Sequence, residues 1–269
     1  MCRRRRRISI IVPFQSNEPT RRRNWRWLKR YWKCHIKGVQ IVMGRDPKSR
    51  RRPWRRTPLT FSKTTAVNRA FKKTRGDIIV ILDADAFLDA GIIKHCAERL
   101  RYARERKIRM WFVPYLHLYR LNAEGTADIV AASPRRGFPL SFSLFGPPPS
   151  DILEATDYGH KYGAMCQIIP REAFEAAEGM DPRFRGWGGE DVAFLHALDT
   201  LWGHHKNTPN DILHLWHPRF QLGEGPAFKV RAWEGQEKPM SNWRLSHAYF
   251  QAVGKPEEMR RLAHGGSFE

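Results

Sequence analysis

Acidic residues are scarce in this chain. Of its 269 residues, 27 are Asp or Glu against 48 Lys or Arg, a formal charge of +21. The corresponding pI is about 10.4. A surface of this sign attracts polyanions: nucleic acid, anionic membrane or acidic glycan. Cysteine is scarce as well. Cys2, Cys34, Cys96 and Cys166 lie far apart and form no C-x-x-C pair. That argues against a disulfide framework or a cysteine zinc site and leaves buried free thiols as the expectation. No run of about 18 apolar residues occurs, so no membrane-spanning helix is expected. Met1-Cys2 and Arg3 to Arg7 resemble a signal-peptide n-region, but the apolar stretch behind them is only Ile8 to Phe14. No small-residue cleavage site follows, so the segment reads as a basic lead-in to a first strand of a cytoplasmic protein. No internal repeat is visible.

What is present supports a globular α/β chain. Hydrophobic residues make up 41% and aromatics 12%, enough for a core and against global disorder. Ile8 to Val12, Val39 to Met43 and Ile78 to Leu82 are short apolar runs of the kind found in buried parallel strands. Between them, Arg21 to Lys37 reads as a helix with Trp25, Leu28 and Trp32 on one face, and Ser62 or Thr64 caps a second helix through about Lys73. Asp89 to Lys107 is helical, Met110 to Leu118 a further strand, and residues 134–160 a long Pro/Gly/Ser-rich loop or lid. Lys161 to Pro170 is strand-like, Asp191 to about Leu201 helical, and Asp211 to Trp216 another strand, with His204 and His205 in a turn before it. The alternation predicts a mostly parallel central sheet with helices on both faces. Residues 1–220 form the main domain, and 221–269 an extension packing on the acceptor side.

Two motifs carry chemistry. Asp83-Ala84-Asp85 follows the run Ile78 to Leu82, at the strand end where ligands of open α/β sheets bind. In an extended segment both carboxylates face one cleft, and two hard oxygen ligands beside a diphosphate suit Mg²⁺ or Mn²⁺. About a hundred residues on stands Gly186-Trp187-Gly188-Gly189-Glu190-Asp191. Its glycines let the backbone approach a ligand, Trp187 offers a flat wall for a sugar ring, and the two carboxylates open a helix whose dipole would lower their pKa. His214 or His217, on the next predicted strand, would complete a metal shell, and a mixed carboxylate/imidazole set favours Mn²⁺.

With these motifs the chain resembles GT-A fold glycosyltransferases of the family 2 type, and the β-1,4-galactosyltransferases in particular. Ile10 to Phe14 is similar to the family's first strand and uridine-contacting turn, here continued by Gln15-Ser16-Asn17 where the family has an Arg-rich turn. Phe61 to Phe71 is similar to its Phe-x-Arg-x-x-x-x-Asn-x-x-Phe segment, with Asn68 at the Asn position. The resemblance implies a UDP-sugar donor contacted by Pro13, Phe14, Gln15, Phe61, Lys63, Asn68, Asp83, Trp187, Gly188 and Gly189. It implies a metal held by Asp85 and His214, with Asp83 and His217 as further candidates. Asp191 would be the base of an inverting transfer, and Glu190 would bind sugar hydroxyls.

The acceptor is read from the charge. Nucleic acid is expected slightly ahead of a protein or glycan: Trp25, Trp27, Trp32 and Trp54, interleaved with arginines, would stack on bases. A hydroxymethylated base flipped from DNA would present its hydroxyl to Asp191. Virion or cell-envelope glycans and proteins are the alternative acceptors, and a non-catalytic nucleic-acid-binding module is the alternative class. The compactness and basic loops would suit a phage-encoded enzyme.

Overall fold

The computed structural model describes residues 7–14, 16, 18–47, 61–135, 150–155, 165–186, 188–218 and 242–264. Gln15, Trp54, Trp187, the arginines at 3–6 and 50–56, and most of the 134–160 loop lie outside the described residues.

The first strand is β1 (Ile8–Pro13), an inner strand of the sheet buried along its whole length. It is followed by α1 (Pro19–His35) and β2 (Gln40–Gly44), then α2 (Lys63–Phe71) and β3 (Ile78–Leu82). Both β2 and β3 lie parallel to β1, with Ile10 opposite Ile41 on one side and Val80 on the other. The continuous Val/Ile pattern follows from this position, since a strand covered on both faces has no polar side to present. Next come β4 (Ala86–Phe87), α3 (Ala90–Glu105), β5 (Trp111–Val113), β6 (His117–Leu121) and α4 (Ala123–Ala131). A 3₁₀ turn at Ser150–Ile152 leads into β7 (Leu153–Ala155), and β8 (Cys166–Pro170) precedes α5 (Arg171–Ala176). The chain then forms α6 (Glu190–Leu201), β9 (His205–Asn207), β10 (Asp211–His214) and two helices, α7 (Asn242–Gln251) and α8 (Pro256–Ala263).

The strands form a six-stranded sheet in the order β2-β1-β3-β8-β5-β9 and a four-stranded sheet in the order β4-β10-β6-β7. In the larger sheet β8 alone runs against its neighbours, antiparallel to both β3 and β5. The mostly parallel central sheet is therefore as expected. The smaller sheet was not anticipated, and it divides the expected single strand over Met110 to Leu118. Trp111 to Val113 pairs in the large sheet, the chain bends, and His117 onward pairs with β10 in the small one. His205 opens a strand rather than sitting in a turn, and the strand expected to reach Trp216 ends at His214.

Helix α1 shows what its tryptophans are for. Trp25, Trp27, Leu28, Tyr31 and Trp32 are all buried. Trp25 packs on Phe14 and Trp32, Trp27 stacks on Tyr31, and the Trp27 indole donates to Ala132 O at 2.8 Å. These rings face the core and the arginines between them face outward, so the expected stacking of Trp25, Trp27 and Trp32 on nucleic-acid bases does not hold. The free-thiol expectation holds for Cys96 and Cys166, which are buried, but Cys34 is exposed.

Two features aim the sheets at one place. Asp83 follows β3, and its backbone N–H bonds Met165 O just before β8. Ala86 of β4 pairs antiparallel with His214 of β10, while Leu215 N donates to Asp85 O at 2.7 Å. The short β4 strand thus carries the end of the large sheet into the small one, with Asp83 and Asp85 at the crossing.

Candidate active site

Residues 83–86 form a turn, closed by Ala86 N donating to Asp83 O at 3.2 Å, and not the expected extended segment. The two carboxylates therefore serve different partners. Asp83 Oδ1 lies 2.8 Å from Lys63 Nζ, and the same ammonium is 2.9 Å from Asp191 Oδ1. Asp85 instead accepts from Arg21 Nη2 at 2.7 Å and lies 3.2 Å from His217 Nε2 and 4.0 Å from His214 Nε2.

Each half is built by local sequence. Ser62 caps α2 by accepting from Thr65 N, and its hydroxyl donates to Phe184 O at 2.9 Å. Gly186 N donates to Phe61 O. These contacts tie the start of α2, where Lys63 stands, to the glycine segment before α6. Gly189 caps α6 at φ +85°, and Glu190 and Asp191 are the helix's first two residues. Asn68, expected near the nucleotide, uses both ends of its amide on the Met180 backbone, at 2.6 and 2.9 Å. Phe14 is buried between Trp25 and the Arg21 guanidinium. Gly188 and Gly189 are partly exposed beside the carboxylates, while Gln15 and Trp187 lie outside the described residues.

The two helices within residues 242–264 pack beside the glycine segment and α6. Asn242 and Arg185 exchange hydrogen bonds, and α7 and α8 both pack on α6. A Cβ placed on Gly189 would fall 3.0 Å from Ser246 Cβ and 3.2 Å from Asn242 O. Gly189→Ala should therefore lower unfolding free energy by about 1–3 kcal/mol, the usual cost of a left-handed non-glycine residue. Denaturant titration of the two proteins measures this.

Charge at the site differs from the expectation for a helix N-terminus. Burial pushes the Asp191 carboxyl up to about 7; Lys63 opposes this, and the Glu190 and Asp83 charges add to it. Glu190 is also raised, chiefly by burial. The helix dipole would lower both, but desolvation is the larger effect here. Burial disfavours the charged form of Lys63, yet the facing Asp191, Asp83 and Glu190 carboxylates hold its pKa well above the ordinary lysine value. Burial would raise Asp85 too; the His217 hydrogen bond and the His214 and Arg21 charges outweigh it and hold the carboxyl far down.

The Asp85, His214 and His217 ligand atoms all lie within 4.8 Å of one another. One carboxylate and two imidazoles fit Mn²⁺ better than the all-oxygen shell Mg²⁺ prefers. His214 Nδ1 is buried with no hydrogen-bond partner among the described residues. His217 thus joins the cluster, whereas Asp83 is turned toward Lys63. Three residues at the site escaped the sequence reading. Arg21 was hidden in a run of arginines. Gln167, buried, reaches Asp191 O at 3.4 Å and was visible as a polar residue in an apolar strand. Tyr115 is buried, and its phenol is raised by burial and by the Cys166, Asp191 and Asp83 charges.

Residues 155–212 match the family model described as the N-terminal domain of galactosyltransferase. This segment is galactosyltransferase-like. The galactosyltransferase-like segment holds β8, the glycine turn, α6 with Glu190 and Asp191, and β9; it stops two residues before His214. A search of curated proteins found no match. Similar solved structures include S. aureus TarS 1-349 in complex with UDP-GlcNAc, at TM-score 0.49 and 12% identity over 96% of this chain and 70% of that one. The catalytic domain of Drosophila β1,4-galactosyltransferase 7 in complex with xylobiose aligns at TM-score 0.45 and 12% identity, covering 87% and 82%. Mycobacterium tuberculosis glucosyl-3-phosphoglycerate synthase, in complex with Mn²⁺, UDP and glucosyl-3-phosphoglycerate, aligns at 0.44 and 13%, covering 98% and 82%. No helix among the described residues is long and apolar enough to cross a membrane.

Proposed function

We propose that the chain is a metal-dependent, inverting glycosyltransferase that moves a sugar from a UDP-sugar to an acceptor hydroxyl. One observation carries the reading: the Asp83–Asp85 turn joins a carboxylate/imidazole cluster on one side to the partly buried Asp191 carboxylate on the other. The galactosyltransferase-like match over Glu190 and Asp191 supports it.

Asp85, His214 and His217 would hold the cation, which supplies Lewis-acid stabilisation of the leaving diphosphate when bound. Asp191 takes the proton of the acceptor hydroxyl as its oxygen bonds the anomeric carbon. The anomeric C–O bond to phosphate breaks with its electron pair leaving on UDP, and attack from the opposite face inverts the centre. Lys63 orients Asp191 and Asp83 together and keeps a positive charge in the cleft. Glu190, with Oε2 buried and unpartnered among the described residues, is placed to accept from a sugar hydroxyl.

Asp191 works deprotonated. Because burial raises its pKa to about 7, kcat/KM should fall as pH drops below neutrality rather than below the ordinary carboxylate range. A pH–rate profile measured with donor turnover checks this; a rate flat down to pH about 5 removes Asp191 from the base role.

For the acceptor, burial of Trp25, Trp27 and Trp32 leaves charge as the feature of the described residues that favours nucleic acid. The outward side of α1, with Arg22, Arg23, Arg26, Lys29 and Arg30 exposed, supports a polyanionic acceptor. A hydroxylated acidic glycan or glycosylated protein uses that charge without base stacking, and is the reading favoured here over a hydroxymethylated base in DNA.

A further inference from the structure

Arg21 places a fixed positive charge on an oxygen that the proposed cation would use. Its Nη2 is 2.7 Å from Asp85 Oδ2, and His217 Nε2 is 3.2 Å from that same oxygen. The guanidinium cannot shed its charge by deprotonation, unlike a lysine or histidine. It is also well anchored. Glu18 caps α1 by accepting from Thr20 N and Arg21 N, and Asn24 Nδ2 donates to Trp216 O, the residue before His217. The Arg21 side chain is 31% exposed while that of Asp85 is 6% exposed, so a partly exposed guanidinium pairs with a buried carboxylate. Arg21 Nε is buried without a hydrogen-bond partner among the described residues.

A divalent cation held by Asp85 and His217 would share the Asp85 carboxylate with this guanidinium, in a partly buried setting where like charges repel strongly. A diphosphate removes the conflict. Its oxygens neutralise the cation and give the guanidinium, including the unpartnered Nε, a charge-assisted acceptor in place of Asp85. We infer that Arg21 makes cation binding conditional on the donor diphosphate, so that metal and UDP-sugar enter as a coupled pair. The inference rests on the proposed metal site and assigns Arg21 as a positioning residue.

The test measures free Mn²⁺ by electron paramagnetic resonance in titrations of the full chain, with and without UDP. Wild-type protein should bind Mn²⁺ weakly alone and at least about tenfold more tightly with UDP, and the coupling must appear equally in UDP affinity. Arg21→Gln should bind Mn²⁺ alone more tightly than wild type and lose most of the UDP enhancement. Arg21→Lys, which keeps the charge but not the fork, should retain part of it. If Arg21→Gln leaves Mn²⁺ affinity and the UDP enhancement at wild-type values, the inference fails and the metal site stands. If wild-type protein takes up no Mn²⁺ even with UDP, the metal-dependent reading fails and the inference falls with it.

Discussion

Asp191→Asn should lower kcat by about 10²–10⁴-fold, the range general-base catalysis contributes, while UDP-sugar affinity stays near wild type. The substitution keeps the shape and leaves an amide oxygen for Lys63, which lies 2.9 Å from either oxygen of the native carboxylate. What it removes is the proton acceptor. A loss confined to kcat marks an interaction made in the transition state and absent from donor binding. Glu190→Gln should behave differently, raising KM more than it lowers kcat, because Glu190 is assigned to binding hydroxyls. Steady-state kinetics on the two variants, with donor affinity from calorimetry, separate the roles. Wild-type turnover by Asp191→Asn would transfer the base role elsewhere.

Asp85→Asn should abolish Mn²⁺ uptake and turnover together. Asp85 is the one carboxylate of the Asp85–His214–His217 cluster, and Arg21 and both imidazoles converge on it. An amide is a poor ligand for the cation and leaves the guanidinium without its counter-charge. Changing residues outside the ligand shell commonly costs about 10–100-fold in metal affinity, so loss of a ligand itself should exceed that. Asp83→Asn gives the contrast: Asp83 pairs with Lys63 and stands apart from the cluster, so Mn²⁺ binding should survive while turnover falls.

Much of this was legible in the chain. The apolar runs at Ile8 to Val12 and Ile78 to Leu82 became buried inner strands because burial on both faces leaves a plain compositional trace. Ser62 was readable as a cap, and Glu190 and Asp191 as the start of a helix after glycines. The small sheet was not legible. Its β4 strand is two residues long, and no periodicity survives in so short a segment. The split of Asp83 and Asp85 between separate partners follows from a turn that depends on β10 pairing far along the sequence. Local spacing could not reveal it. The tryptophans of α1 misled for a related reason. Trp and Arg alternate in sequence, but a helix sorts them onto opposite faces, with the rings inward. The Asp191 shift has the opposite sign to the one a helix N-terminus favours because burial, which only the packed structure supplies, outweighs the dipole.

Metal-dependent sugar transfer is tested most simply by UDP release from a panel of UDP-sugars by the purified chain, in Mn²⁺ and then in chelator. Release is expected from at least one donor, with its loss on chelation and its return when Mn²⁺ is restored. Release unaffected by chelation, or no release from any donor in Mn²⁺ with hydroxylated polyanionic acceptors present, would contradict metal-dependent transfer.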